Sequence, residues 1–189
     1  ENIDEIAYTA SLFPGSVDYL GVYEDHGVLA AGTLLAHCIH LSDEEWTRLV
    51  EADAVVVHCP DSNFFLGSGV MRLHAALERG ARVALGSDIG GGRTFSLRRV
   101  AARAYDASLL AGERVDPATL LWLATRGGAR ALGHGRHVGC IAPGFDADLV
   151  AVALPAGAGG DIFDQLLFRE DHGPVRATLV RGRTVWSAD

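Results

Sequence analysis

Two histidines and an aspartate, His37, His58 and Asp88, each follow a short apolar run that predicts a buried strand. In parallel α/β proteins, catalytic groups gather at the carboxyl ends of the strands because the loops there meet in one crevice. Each residue also has a structural interpretation, since such a histidine can hydrogen-bond a backbone carbonyl and the aspartate can cap the next helix. Three strand ends in succession favour a site for acid–base or metal chemistry.

The spacing of the histidines excludes several metal motifs. His37 and His40 are three residues apart and would face opposite sides of a strand, so they are not a chelating pair. The sequence has no His-x-His, no His-Glu-x-x-His and no Cys-x-x-Cys of the cytidine deaminase type. His134 and His137 lie in a glycine-rich loop and are predicted to be solvated surface residues. A complete metal site does not follow from these residues alone.

Alternating strand and helix patterns must position these side chains. Apolar runs predict three strands: 33–37, 54–58 and 83–86. Ser42 and Glu45 form a capping-box pattern that predicts the start of a helix. Apolar periodicity predicts three further helices: 70–79, 95–110 and 117–132. A polar loop is expected at 61–69, and the alternation as a whole predicts right-handed crossovers and a parallel sheet.

The predicted sheet is incomplete, because a (β/α)8 barrel needs eight strands and typically about 250 residues. The tail has a different pattern, with a strand within 138–152, a surface loop at 156–160 and a β-hairpin. The hairpin strands, 175–180 and 183–186, are joined across Arg181 and Gly182. The chain therefore divides into an α/β portion, 1–135, and a small antiparallel β-module, 136–189.

Composition narrows the class of protein further. The chain of 189 residues carries a formal net charge of −8, which argues against binding to a nucleic-acid backbone. Apolar runs such as 54–57 are too short to cross a membrane. Three cysteines without Cys-x-x-Cys spacing indicate neither a disulfide framework nor a thiolate zinc site, so we expect a cytoplasmic protein. Because the chain opens at Glu1 without a methionine, we expect it to be part of a longer protein.

Four blocks of the sequence resemble successive blocks of the guanine deaminases, which belong to the amidohydrolase superfamily. The blocks are ENIDE at 1–5, AHCIHLS at 36–42, HCPDSNFFLGSG at 58–69 and LGSDIGGG at 85–92. The tail at 139–152 resembles the C-terminal β-module of that superfamily. The resemblance covers nearly the whole chain and implies an α/β fold that is the later part of a (β/α)8 TIM-type barrel, followed by part of the β-module.

In that family a zinc ion is held by a His-x-His pair on the first strand, a histidine on the fifth and an aspartate on the eighth. By this resemblance the aspartate is Asp88, and the other ligands lie upstream of residue 1. The chemistry of the ligands would accept Fe²⁺ as well as Zn²⁺. One metal ligand of four is therefore expected in this chain, and the family often forms homodimers.

The resemblance also implies roles in the hydrolysis of guanine to xanthine and ammonia. Asp88 would take a proton from the attacking water, Glu1 would protonate the ring nitrogen beside the reacting carbon, and His37 would polarise the water. These three are the expected catalytic residues, and Glu1 and Asp88 would also contact the purine. Asn63 is expected in the pocket wall, near enough to contact substrate, and His58 is expected to pack behind the site.

Other functions stay open at this point. The substrate could be another aminated ring, such as 8-oxoguanine, a thiolated adenosine or a triazine. The chain could instead be a non-catalytic scaffold that binds its missing half or a partner subunit. Since the other ligands lie outside the sequence, we expect the isolated chain to be inactive, and its exposed sheet edge predicts poor solubility.

Overall fold

Three parallel strands form the sheet that carries the strand-end residues. The structure, a computed structural model, describes residues 1–154, 160–169 and 173–188. The strands are β1 (Leu34–Ala36), β2 (Val55–His58) and β3 (Arg82–Leu85), and they lie in that order. Leu35 pairs with Val56, and Val56 with Val83. The predicted parallel order is confirmed, with β1 and β2 shorter than expected by two residues and one residue, and β3 of the expected length but shifted by one residue.

Nine helices accompany the two sheets of the described residues. They are α1 (Ile3–Leu12), α2 (Tyr19–Asp25), α3 (Asp43–Glu51), α4 (Pro60–Leu66), α5 (Leu73–Glu78), α6 (Leu97–Leu110), α7 (Pro117–Trp122), α8 (Gly128–Ala131) and α9 (Ile162–Phe168). A π-helical turn, Leu123–Gly127, joins α7 to α8, so the helix predicted at 117–132 is continuous but changes its winding. A Cβ on Gly127 would lie 3.2 Å from the Val83 carbonyl oxygen, which explains how this helix approaches β3 so closely.

The core lies between the parallel sheet and the helices. Val56 and Val83 point from the sheet into it, and Leu49, Val100 and Leu120 contribute from α3, α6 and α7. All five side chains are almost completely buried. Burying a valine or leucine side chain contributes about 1.5–3 kcal/mol, so this layer holds the strands in register.

The capping box predicted at Ser42 is confirmed. The Glu45 amide donates to Ser42 Oγ, and the Ser42 amide donates to Glu45 Oε2 at 2.8 Å. The second carboxylate oxygen of Glu45 accepts from the Leu20 amide at 3.0 Å, so the same side chain joins α2 to α3. The Glu45 side chain, which caps α3, thus also forms a buried link between α2 and α3.

The loop predicted at 61–69 is wrong over most of its length, because α4 occupies Pro60–Leu66. Proline is favoured in the first turn of a helix, and Gly67 ends α4 in the left-handed region at φ 70°. The polar residues Asp61, Ser62 and Asn63 suggested a loop, yet all three are buried. Their polar groups are directed into the protein.

Three short helices escaped the sequence analysis: α1, α2 and α9. Each begins after an Asn or Asp whose side chain accepts a backbone amide hydrogen bond, namely Asn2, Asp18 and Asp161. Those capping residues were the available signal. Helices of seven to ten residues present too few turns for a clear apolar period.

The tail forms an antiparallel sheet of β4 (Leu149–Val152), β5 (Val175–Val180) and β6 (Arg183–Ser187). The predicted hairpin is confirmed, and its turn residues Arg181 and Gly182 both have positive φ. Most of the loop predicted at 156–160 lies outside the described residues. The Arg126 guanidinium donates to the carbonyl of Gly135 and stacks over the Phe145 ring at 5.0 Å, which ties the start of the tail to the π-helical turn.

His58, the last residue of β2, is completely buried. Among the described residues, neither of its ring nitrogens has a hydrogen-bond partner. Burial, and secondarily the charge at His37, lowers the pKa of His58 to about 3. The imidazole is therefore neutral at physiological pH, in agreement with the packing role expected for it.

This burial predicts how stability depends on pH. The pKa of His58 is lower in the folded protein than in the unfolded chain, so the unfolded chain binds a proton first below about pH 6.5. The free energy of unfolding then falls by up to about 1.4 kcal/mol per pH unit from this residue. In urea titrations of the protein that carries this sequence, we expect His58→Leu to flatten the decline between about pH 7 and pH 5. The exposed control His134→Ala should keep the parental slope, and equal slopes for all three proteins would contradict the assignment.

Candidate active site

Two of the site residues follow strands of the parallel sheet and have left-handed backbone angles. His37 follows β1 with φ 67°, and Asp88 lies three residues beyond β3 with φ 46°. Non-glycine residues adopt such angles only where the surrounding structure holds them, and they concentrate at functional sites. The His37 amide still donates to the Val57 carbonyl at 3.0 Å, so its backbone is fixed to the sheet while its side chain turns aside.

Three side chains that the sequence analysis assigned to catalysis come together here. His37 Nε2 lies 3.7 Å from Glu1 Oε2 and 3.9 Å from Asp88 Oδ2. One ligand atom from each residue lies within 4.8 Å of those of the other two. Asp88 does not cap a helix, since α6 begins at Leu97 with Ser96 as its N-cap. His58 lies outside this cluster.

The donors of the cluster fit a divalent transition metal. Imidazole nitrogen and carboxylate oxygen are both zinc ligands in proteins. Asp88 supplies the carboxylate that the resemblance assigns to the metal, and His37 Nε2 lies 3.9 Å from it. The side chains of Glu1 and His37 are 21% and 13% exposed, whereas that of Asp88 is 38% exposed. Asp88 is thus the most accessible of the three to an ion or a substrate.

A tight glycine turn directs Asp88 back toward the sheet. The Gly92 amide donates to the Asp88 carbonyl, closing a turn across Gly90 and Gly91. A Cβ on Gly91 would lie 3.0 Å from Asp88 Oδ2, and a Cβ on Gly92 would overlap the Ser87 carbonyl oxygen. Glycine is needed because the backbone folds directly against the carboxylate.

Ser68 holds Glu1 from the segment that follows α4. Ser68 Oγ donates to Glu1 Oε1 at 2.8 Å, and the Ser68 carbonyl accepts from His40 Nε2 at 3.0 Å. This leaves Glu1 Oε2 facing His37. Ser68 was not predicted to be a site residue. The only signal in the sequence was its place in a block that resembles the guanine deaminases.

Asn63 lies behind His37. His37 Nδ1 donates to Asn63 Oδ1 at 2.8 Å, and Asn63 is only 1% exposed. The interpretation that His37 bonds a backbone carbonyl is therefore wrong for Nδ1, which bonds a side-chain amide. The substrate contact expected of Asn63 stays a prediction.

An ion pair between the buried Asp61 and the half-exposed Arg93 links α4 to the loop that carries Asp88. Arg93 Nη2 donates to Asp61 Oδ1 at 2.6 Å, and the Arg93 amide donates to Asp61 Oδ2. Hydrogen bonding by Arg93 lowers the pKa of Asp61, which is only 4% exposed, so the carboxylate stays ionised. This pair was not predicted, because Asp61 was expected in a loop.

The two cysteines near the site are unsuited to nucleophilic catalysis. Burial raises the pKa of Cys59 to about 12, with a smaller contribution from the charge of Asp88, and burial likewise raises that of Cys38 to about 12. Thiols react as thiolates, so both are inert at neutral pH. His134 and His137 are exposed, as expected. No helix in the described ranges is long and apolar enough to span a membrane.

Two curated proteins similar to this chain are guanine deaminases. The guanine deaminase of Escherichia coli K12 is 40% identical over 152 residues, covering 80% of this chain and 35% of that protein. The probable guanine deaminase of Deinococcus radiodurans is 42% identical over 182 residues, covering 95% of this chain and 41% of that protein. The chain therefore spans less than half the length of these relatives.

Solved structures give the same result. The E. coli guanine deaminase matches with a TM-score of 0.92 and 34% identity, over 100% of this chain and 47% of that one. A guanine deaminase from C. acetobutylicum with guanine bound in its active site matches with a TM-score of 0.88 and 33% identity, over 98% and 47%. An adenosine deaminase from Xanthomonas campestris with bound zinc matches with a TM-score of 0.88 and 27% identity, over 97% and 43%.

These matches confirm the resemblance to guanine deaminases inferred from the four sequence blocks. The model of the amidohydrolase family matches residues 1–185, nearly the full length of the sequence. The chain belongs to the amidohydrolase family.

Proposed function

We propose that the protein carrying this chain is a zinc-dependent guanine deaminase, which hydrolyses guanine to xanthine and ammonia. The convergence of Glu1, His37 and Asp88 carries the proposal, because it joins a metal-binding carboxylate to two groups able to transfer protons. Guanine in the similar C. acetobutylicum structure and zinc in the X. campestris structure support the substrate and the metal.

Asp88 has two tasks in this proposal. It would hold zinc together with histidines from outside this sequence, and zinc would lower the pKa of a water molecule to about 7. Asp88 then accepts a proton from the water as the water oxygen attacks C2 of guanine. Its exposure is in keeping with both tasks, since the carboxylate must reach an ion and a substrate.

Glu1 donates a proton to the substrate, and His37 hydrogen-bonds the attacking water. Glu1 donates a proton to the ring nitrogen beside C2, which offsets the loss of aromaticity when the water oxygen bonds to the carbon. The bond between C2 and the amino nitrogen then breaks as Asp88 passes the water proton to that nitrogen, which leaves as ammonia. The remaining hydroxyl proton on C2 returns to Glu1 as the carbonyl of xanthine forms. His37 Nε2 faces both carboxylates and can accept a hydrogen bond from the attacking water, which polarises the O–H bond of the water.

An aminated purine other than guanine is the alternative that a specific observation favours. The zinc-bound X. campestris match is described as an adenosine deaminase. Glu1, His37 and Asp88 act on the reacting carbon, so these three residues do not distinguish the two rings. A substrate panel of guanine, adenosine and 8-oxoguanine separates these possibilities, and guanine should have the highest kcat/KM.

The isolated 189-residue chain should not deaminate guanine. Asp88 is one ligand, and the cluster lacks the further histidines that the proposal requires. Xanthine formation, followed by ultraviolet absorbance with zinc present, should stay at the background rate for the chain alone. The longer protein that contains it should be active under the same conditions. Turnover by the verified chain alone would overturn the ligand assignment.

Asp88→Asn should abolish turnover in that longer protein. The amide keeps the shape of the side chain but is a weak ligand and no base, so kcat should fall by roughly 10²–10⁴-fold or more. Metal analysis should also show less zinc per protein molecule. The matched control is His134→Ala, an exposed histidine outside the cluster, which should keep parental kcat and zinc content. Retained turnover in Asp88→Asn would refute both roles of this residue.

A further inference from the structure

We infer that Asn63 is a positioning residue that selects the tautomer of His37, an inference that rests on the proposed deaminase function. The contact between His37 Nδ1 and Asn63 Oδ1, at 2.8 Å, carries it. An amide oxygen only accepts hydrogen bonds, so His37 must keep a proton on Nδ1 to make this one. Nε2 is then left to face the site.

The two faces of the imidazole have different surroundings. Nδ1 points into the protein toward Asn63, and Nε2 lies 3.7 Å and 3.9 Å from the carboxylates of Glu1 and Asp88. A neutral histidine has one N–H, and the hydrogen bond made by one nitrogen decides what the other can do. With the proton held on Nδ1, the lone pair of Nε2 is directed to the water and substrate. Without Asn63, the proton could shift to Nε2 and the ring would lose its acceptor there.

The backbone of Asn63 is fixed on both sides, while its side-chain Nδ2 has no hydrogen-bond partner among the described residues. Its backbone N–H donates to the Cys59 carbonyl at 3.1 Å, and its backbone carbonyl accepts from the Ser68 backbone N–H at 2.9 Å. The ion pair of Asp61 with Arg93 anchors the same helix to the Asp88 loop. A buried acceptor on a fixed helix keeps the ring in one orientation without cost at the moment of reaction.

Burial also separates this role from direct catalysis. Asn63 is 1% exposed, and His37 stands between it and the two carboxylates. Asn63 therefore acts through His37. A change at Asn63 should affect the rate of the chemical step more than substrate affinity, because only the direction of a hydrogen bond in the reacting cluster changes.

The test compares three variants of the zinc-loaded longer protein. Asn63→Asp keeps an oxygen acceptor, whereas Asn63→Leu has similar volume without one. Ser62→Ala is the matched control, since Ser62 is completely buried on the same helix and its hydroxyl donates to the Cys59 carbonyl. Zinc content, thermal midpoint, and kcat and KM for guanine are measured for each. The ¹⁵N chemical shifts of the His37 ring report which nitrogen carries the proton.

In the parent we expect the proton on Nδ1. In Asn63→Leu we expect a shift toward the Nε2–H tautomer, with kcat lowered by about 10–100-fold and KM and zinc content near parental. Asn63→Asp should keep the parental tautomer and most of kcat, and Ser62→Ala should match the parent.

Two outcomes would overturn the inference. One is an Nε2–H tautomer in the parent, a measurement that needs no variant to fold. The other is equal loss of kcat in Asn63→Leu and Asn63→Asp with the His37 tautomer unchanged. If the parent proves inactive on guanine, the proposed function fails, yet the ring spectra of the parent and variants still decide the role of Asn63.

Discussion

Parallel hydrogen bonding between β1, β2 and β3 is the constraint on which the site depends. Parallel strands end at the same edge of a sheet, so fixing Leu35 beside Val56 and Val56 beside Val83 brings the exits of β1 and β3 to one place. His37 and Asp88 then need only a local turn of the backbone to face each other, and both adopt positive φ. The sheet determines where the two segments come together, and the positive φ angles of His37 and Asp88 direct their side chains toward each other.

Helix α4 is the second support, and it acts on each member of the cluster. Asn63 bonds to His37, Asp61 bonds to Arg93 in the loop after Asp88, and Ser68, just beyond the helix, bonds to Glu1. The helix and the residue just beyond it therefore contact the segments that carry all three side chains. Asp61 and Asn63 are buried against partners at the site, so stability and catalytic geometry share these hydrogen bonds.

Local signals in the sequence predicted the sheet, the capping box and the hairpin, because each depends on residues close in the chain. Helix α4 was not predicted, since Asp61, Ser62 and Asn63 have the composition of a loop. Only tertiary partners explain their burial. Residue types and strand ends indicated His37 and Asp88, whereas Glu1 depended on family resemblance alone. Ser68 and Arg93 act through contacts distant in sequence, which no local pattern records.

The glycine turn beyond Asp88 has an evolutionary consequence. Side chains at Gly91 and Gly92 would collide with the carboxylate and with the Ser87 carbonyl, so this loop has little freedom to vary. Divergence toward new ring substrates must therefore arise in other loops around the pocket. Leu66 limits the turn from the other side, since a Cβ on Gly91 would also lie 3.3 Å from Leu66 Cδ1. Conservation of the reacting centre and diversity of substrate can thus coexist in one scaffold.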